Sequence, residues 1–239
     1  MRIKLKIFCF TYAGGNASFF NSIESDLPDF EFVKMEYSGH GTRHKEPFYN
    51  NFNELADDMY SIIKNTYDGC TYSLFGYSMG SIGVVEVLRR IINGNYLPLP
   101  VYVFLAAHEP KTKVELEGFT SDEQDEWVKV RTIRFGGIPE KLIYNKSFWR
   151  MYLPVYRADY SIIGKYRFED LCLSSDIPTT VFYSEKDTRL IDMKQWEKCF
   201  SGGIDYHQYD GTHFFIQNHH KEMADIIRTN IYGRINNDI

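Results

Sequence analysis

The chain has 239 residues, a length that fits one α/β domain better than two. Hydrophobic residues make up 44% and charged residues 25%, so a sizeable core can form, and a net charge of −5 gives no basis for a nucleic-acid surface or a polybasic membrane anchor. Aromatic residues reach 16%, with 18 Tyr and 18 Phe, which fits a bulky apolar cleft or lid and an aromatic-rich core equally well.

Met1–Lys6 alternates charged and apolar residues and reads as the start of a strand, not a signal peptide. The strand spans Ile3–Phe10 and ends in the Gly-rich loop Thr11-Tyr12-Ala13-Gly14-Gly15-Asn16. Phe19, Ile23 and Leu27, at helical spacing, predict a helix that stops at Pro28. A strand follows at Glu31–Tyr37, then the loop Ser38-Gly39-His40-Gly41-Thr42-Arg43. Phe52, Leu55, Ala56, Met59, Ile62 and Ile63 mark an amphipathic helix closed by Gly69. Thr71–Tyr77 is a β-prone run leading into Gly76-Tyr77-Ser78-Met79-Gly80, and the helical run Ile82–Ile92 follows, with Gly94 as its C-cap. Val101–Ala107 is apolar enough for a strand buried on both faces.

From Lys111 to Phe168 the chain turns charged and helical, interrupted by Gly136-Gly137-Ile138-Pro139. This block reads as a lid insertion, roughly 111–168, placed after a strand's C-terminal end. Alternation resumes with strands at Pro178–Ser184 and Ile204–Asp210 and helices at Met193–Phe200 and His219–Tyr232. Strands alternating with helices predict an α/β fold: a mostly parallel sheet covered by helices on both faces, in one domain over 1–239. No run approaches 18 apolar residues, which excludes a spanning helix, and a cytoplasmic address is expected. Cys9, Cys70, Cys172 and Cys199 are scattered with no C-x-x-C pair, and they read as reduced thiols, not a disulfide frame or a zinc site.

The Gly-x-Ser-x-Gly segment between a strand and a helix has the form of a nucleophile elbow. Its glycines allow a turn in which a Cβ would crowd the neighbouring strand or helix, and Ser78 would stand at a helix N-terminus that favours negative charge. A serine nucleophile needs a base and a group to orient it, in the chain order Ser, Asp or Glu, His. His213, in Asp210-Gly211-Thr212-His213-Phe214-Phe215 after the last strand, is the best-placed base. His207 lies inside that strand, His219 and His220 begin a polar helix and are expected in solvent, and His108 precedes any suitable acid. Asp187, just past the strand Pro178–Ser184, is the favoured acid, ahead of Asp192 and Glu185. The developing oxyanion needs two backbone N–H donors. Met79 supplies one, and the Tyr12-Ala13-Gly14-Gly15 loop the other, with Ala13 favoured over Tyr12 and Gly14. His40 and His44 are separated by Gly41 and do not form a rigid metal-binding pair, and no metal cluster or phosphate-binding glycine motif occurs.

Five segments together resemble the type II (external) thioesterases of nonribosomal peptide and polyketide synthesis, members of the α/β-hydrolase superfamily. Phe10–Gly15 resembles that family's F-P-x-A-G-G, Ser38–Pro47 its P-G-R-x-x-R-x-x-E-P, and Gly76–Gly80 its G-H-S-M-G. Leu153-Pro154-Val155-Tyr156-Arg157-Ala158-Asp159-Tyr160 resembles L-P-x-L-R-A-D-F, and Gly211–Phe215 resembles G-G-H-F-F. Thr11, Tyr77 and Thr212 depart from the pattern, and Tyr77 is expected to alter the mouth of the site. The resemblance implies Ser78, Asp187 and His213 as triad and Met79 and Ala13 as oxyanion donors. It implies hydrolysis of acyl or aminoacyl thioesters on the phosphopantetheine arms of carrier-protein domains, clearing stalled synthases; no cofactor of the enzyme's own and a monomer are expected. Lys111, Lys113, Arg131 and Arg134 are then candidates to meet an acidic carrier surface. A medium-chain fatty acyl-carrier thioesterase, a small-molecule carboxylesterase and an inactive hydrolase-fold binding module are the alternatives.

Overall fold

Strands covered on both faces carry near-continuous apolar runs, and four of the strands here do. A computed structural model of the chain describes residues 5–111, 120–168, 173 and 175–237; Lys113 and Cys172 lie outside the described residues. Strands β1 (Leu5–Phe10), β4 (Val103–Ala106) and β5 (Thr179–Tyr183) are buried throughout, and β3 (Thr71–Tyr77) from its second residue on. The partly exposed β2 (Phe30–Lys34) and β6 (Ile204–Gln208) form the edges. The strand order is β2-β1-β3-β4-β5-β6, and every described pairing is parallel.

The period of two along each central strand divides the core between the two faces. Leu5, Ile7 and Cys9 of β1 pack with Phe75 and Tyr77 of β3 against helices α1 (Asn21–Asp26) and α8 (Ile216–Asn237). Phe8, Phe10, Tyr72 and Leu74 face the other way, toward α2 (Phe52–Thr66) and α3 (Met79–Asn93). Burial pushes the Cys9 thiol well above its ordinary pKa, so it is an inert part of this core.

Several element boundaries differ from those the sequence pattern suggests. The strand read as Glu31–Tyr37 ends at Lys34; Met35 N still makes a ladder bond to the Cys9 carbonyl at 2.8 Å, and beyond it the Tyr37 hydroxyl donates to the Thr11 carbonyl. The helix expected around Phe19 and Ile23 divides into a 3-10 turn at Ala17–Phe20, capped by Asn16, and α1. The helix read as Met193–Phe200 is α7 (Leu190–Met193) followed by a 3-10 turn, Lys194–Lys198. The last helix begins at Ile216 and kinks at His219, the residue where the sequence placed its start.

After β4 come α4 (Ser121–Phe135), α5 (Glu140–Ile143) and α6 (Lys146–Lys165). Thr120 and Glu123 form a reciprocal capping box, and Gly136 ends α4 in the left-handed region. Helices α4 and α6 are tied by the Asp125–Arg157 ion pair and by the Trp127 and Tyr160 rings, edge to face at 5.5 Å.

The order of the sheet reverses between β1 and β3, and their C-terminal ends open the crevice where α/β proteins bind ligands. There α3 approaches β1 closely: a Cβ on Gly80 would lie 2.0 Å from the Phe10 carbonyl oxygen and 2.8 Å from that of Thr11. Neither is a side chain that could swing away. Gly80→Ala is therefore expected to cost about 3 kcal/mol or more, read as a lower urea midpoint. Gly233→Ala in α8, where a Cβ meets nothing within 4 Å, should hold or raise that midpoint.

Candidate active site

Between β3 and α3 the chain turns at Ser78, which has φ +54° and ψ −120°. A side-chain-bearing residue reaches that region at a cost of about 1–3 kcal/mol, so the surroundings must hold it there. Ser78 N donates to the Ala106 carbonyl at 2.7 Å. The Ser81 hydroxyl lies 3.1 Å from both the Gly76 and Ala106 carbonyls and accepts from Ala106 N. A Cβ on Gly76 would meet the Gly80 carbonyl at 2.4 Å, so this side of the turn is closed to any larger residue. Met79 is the first residue of α3, and its N–H belongs to the helix terminus, with no partner within the helix.

Two loops at the same end of the sheet bring His213 and Asp187 to Ser78. His213 Nε2 lies 2.8 Å from Ser78 Oγ, and Nδ1 lies 2.9 Å from Asp187 Oδ2. Because the carboxylate can only accept, Nδ1 carries the proton and Nε2 is left to accept from the serine hydroxyl. Both His213 and Asp187 side chains are buried. The loops are cross-tied: Ser184 Oγ donates to the Gly211 carbonyl at 2.5 Å, and Asp187 N donates to the Ser184 carbonyl at 3.0 Å. Phe135 of α4 lies over the imidazole with ring centroids 4.3 Å apart.

Tyr77 does not shape the mouth of the site. It is fully buried on the α1 and α8 face, because alternation along β3 turns it there, and its hydroxyl donates to the His213 carbonyl at 2.6 Å. It is a strut beneath the histidine.

In the loop after β1, Gly14 N donates to Asp159 Oδ2 at 2.6 Å and Gly15 N to the Tyr12 carbonyl at 2.9 Å. The Gly14 amide is thus already engaged. Ala13 lines a narrow space beside Ser78, together with Tyr12, Phe135, Tyr156 and Phe214. That space measures about 20 Å³, room for little more than one water. On the other side of Ser78 a cleft of about 390 Å³ runs past His108, Glu109, Arg131, Arg134 and Lys186. Aromatic residues therefore fill the core and also line the site.

The remaining candidates point elsewhere. Asp192 pairs with Arg189, Glu185 accepts from Leu190 N, and Asp210 is exposed near Lys186. His219 and His220 lie half-exposed at the surface, bonded to Glu222 and to Asp26. His108 lines the cleft with its Nδ1 2.7 Å from the Glu109 carbonyl. Among the described residues no cluster of His, Cys, Asp and Glu could hold a metal, and no helix is long and apolar enough to cross a membrane. Sequence reasoning assigned no role to His40 and Asp159, which meet at 2.9 Å deep beside the Gly14 loop. The signals available were a carboxylate in the helical R-A-D stretch that resembles the family motif and a histidine where the P-G-R pattern carries arginine.

A parallel sheet with a serine at its strand-to-helix elbow, met by a histidine and an aspartate from later loops, is the arrangement of an α/β-hydrolase. The thioesterase domain family model matches residues 5–231. The chain belongs to that family and is a thioesterase. It is 29% identical over 217 residues to the medium-chain S-acyl fatty acid synthase thioesterase of Rattus norvegicus, covering 88% of this chain and 81% of the relative. It is 24% identical over 229 residues to the gramicidin S biosynthesis protein GrsT of Aneurinibacillus migulanus, covering 94% and 88%. Among solved structures, the RedJ thioesterase of prodiginine biosynthesis in Streptomyces coelicolor shares the fold with a TM-score of 0.84 at 24% identity, covering 95% of this chain and 91% of that one.

Tyr77→Phe removes the strut under His213 and leaves a buried carbonyl without its donor. A loss of about 1–3 kcal/mol in stability is expected, measured by urea denaturation. A displaced imidazole should also lower kcat by about tenfold.

Proposed function

We propose that this thioesterase hydrolyses acyl or aminoacyl thioesters held on the phosphopantetheine arms of carrier-protein domains of a nonribosomal peptide or polyketide synthase. The observation that carries the reading is the hydrogen-bonded line from Ser78 Oγ through His213 to Asp187, set in the wall of a cleft large enough for an extended arm. Relatives named for gramicidin S and anguibactin biosynthesis support the class of pathway.

Ser78 Oγ attacks the thioester carbonyl while His213 Nε2 takes its proton. The negative oxygen of the tetrahedral intermediate is stabilised by the Met79 and Ala13 N–H groups, each worth about 3–4 kcal/mol in the transition state. Collapse breaks the C–S bond, and the carrier thiolate leaves with the proton from His213. Water then gives its proton to His213 and attacks the acyl-serine, releasing the acid and restoring Ser78. Asp187 holds the imidazole tautomer and stabilises the imidazolium. A thiolate is a good leaving group, so nucleophile activation and the oxyanion site carry most of the first step. No cofactor of the enzyme's own takes part.

Helices α4 to α6 serve as the lid. Arg131 and Arg134 lie on the cleft wall, where they can meet an acidic carrier surface or the arm's phosphate, and Lys111, just past the cleft-lining Glu109, is exposed. The enzyme works in the cytoplasm as a monomer. A second reading, a medium-chain fatty acyl-carrier thioesterase, is favoured by the likeness to the rat enzyme.

Ser78→Ala should lower kcat by about 10⁶-fold and Asp187→Asn by about 10⁴-fold, both with unchanged melting. A Ser78→Ala protein that kept its thioesterase activity would falsify the mechanism. Hydrolysis of acetyl, aminoacyl and octanoyl groups on a carrier protein, on coenzyme A and as oxygen esters separates the readings. Preference for acetyl or aminoacyl carriers is expected, and an octanoyl preference would favour the second reading.

A further inference from the structure

The Arg157-Ala158-Asp159 motif is used by neither the nucleophile nor its base. Asp159 sits on α6, and its buried Oδ2 accepts two hydrogen bonds, from Gly14 N at 2.6 Å and from His40 Nε2 at 2.9 Å. The other ring nitrogen of His40, Nδ1, lies 3.0 Å from the Ser38 carbonyl. A carbonyl and a carboxylate are both acceptors only, so each ring nitrogen must bring a proton. With Asp159 ionised, this arrangement holds His40 as an imidazolium paired with a carboxylate away from water.

What the pair holds is the peptide next to the nucleophile. The Tyr12 carbonyl and the Ala13 N–H belong to one rigid plane and point in opposite directions. Gly15 N pins that carbonyl at 2.9 Å. The next plane, from Ala13 to Gly14, is pinned through its N–H by Asp159. Gly14 has φ +76°, and a Cβ there would lie 2.1 Å from the Tyr156 ring, so α6 rests directly on this backbone. With both planes fixed, the Ala13 N–H keeps one direction.

The geometry points to His40 and Asp159 as positioning residues for the reaction, which hold Gly14 so that the Ala13 N–H stays aimed at the oxyanion. Because Asp159 is carried by α6, the donor is set only while that helix lies on the loop after β1. The inference rests on Ser78 as nucleophile and Ala13 as donor.

It makes the rate sensitive to the His40 proton. Burial opposes the charged ring, but Asp159, the Ser38 carbonyl and Glu36 outweigh it and raise the His40 pKa above the ordinary histidine value. Tyr37 meets the ring edge-on at 5.7 Å and Phe48 at 6.3 Å; Tyr156 is the titratable group that faces Asp159 from its own helix. Both tyrosines are held neutral, their pKa values pushed up by burial first and by Asp159 among the further causes. A raised histidine pKa means that the required charge is complete at low pH and is lost as pH rises through that value.

The test compares Asp159→Asn, His40→Gln and His40→Arg with the wild type, using an acyl-carrier thioester and a fluorophosphonate that labels Ser78. Asp159→Asn and His40→Gln should lower kcat by about 10- to 100-fold, less than outright loss of a donor, with KM within about twofold. Phosphonylation of Ser78 should slow in parallel, since the phosphonyl oxygen uses the same donors. His40→Arg, whose charge does not titrate, should recover most of kcat and abolish a fall in kcat on the basic side of the wild-type pH profile. Folded Asn and Gln variants with wild-type kcat, or with a change confined to KM, overturn the inference. Should those variants melt below the assay temperature, the profiles of wild type and His40→Arg decide it, and identical basic limbs overturn it. A wild type that neither labels nor turns over refutes the reading of Ser78 instead.

Discussion

The structure depends on the close approach of α3 to the end of β1. With a glycine at 80, the first turn of the helix touches the Phe10 and Thr11 carbonyls, and the two neighbouring central strands end at one level. That contact sets the distance between the elbow and the Gly-rich loop. It also explains why the strained conformation of Ser78 survives: hydrogen bonds from Ser78 and Ser81 to the β4 end, together with backbone packing on β1, over-determine the turn.

Around this elbow the site is assembled from loops, each fastened to a regular element or to a neighbouring loop. The His213 loop is tied from below by Tyr77 and from the side by Ser184. The loop after β1 is tied from above by Asp159 and across by Tyr37. These ties are hydrogen bonds between buried or half-buried groups, so a donor or acceptor lost from the buried ones would leave its partner unsatisfied away from water. Such a network favours a single arrangement of the reacting groups over high stability.

The covering helices have two faces in this scheme. Phe135, Tyr156 and Tyr160 close over Ser78 and leave a narrow space on one side, while Arg131 and Arg134 stand along the broader cleft on the other. The Arg131 guanidinium lies over the rings of Trp127, Phe135 and Tyr160, at 5.0 to 5.7 Å from their centroids. Its charge is thereby held against the aromatic layer that closes the site. The same helices carry the buried carboxylate of Asp159, so one element both lines the space beside Ser78 and bonds the loop after β1.

The sequence by itself determined the alternation of strands and helices, the elbow at Ser78 and the order in which an acid and a histidine follow it. These are local properties: apolar periodicity, glycine placement and position just past a strand end. The strand limit at Lys34 and the start of the last helix at Ile216 were not legible, because apolar periodicity does not stop or start with the hydrogen-bonded element. The same holds for the orientation of Tyr77, the engagement of the Gly14 amide and the meeting of His40 with Asp159. His40 and Asp159 stand 119 residues apart, and Gly14 and Asp159 145 apart. Only the tertiary structure could bring them to one oxygen atom, because burial and shared acceptors are properties of the packed whole.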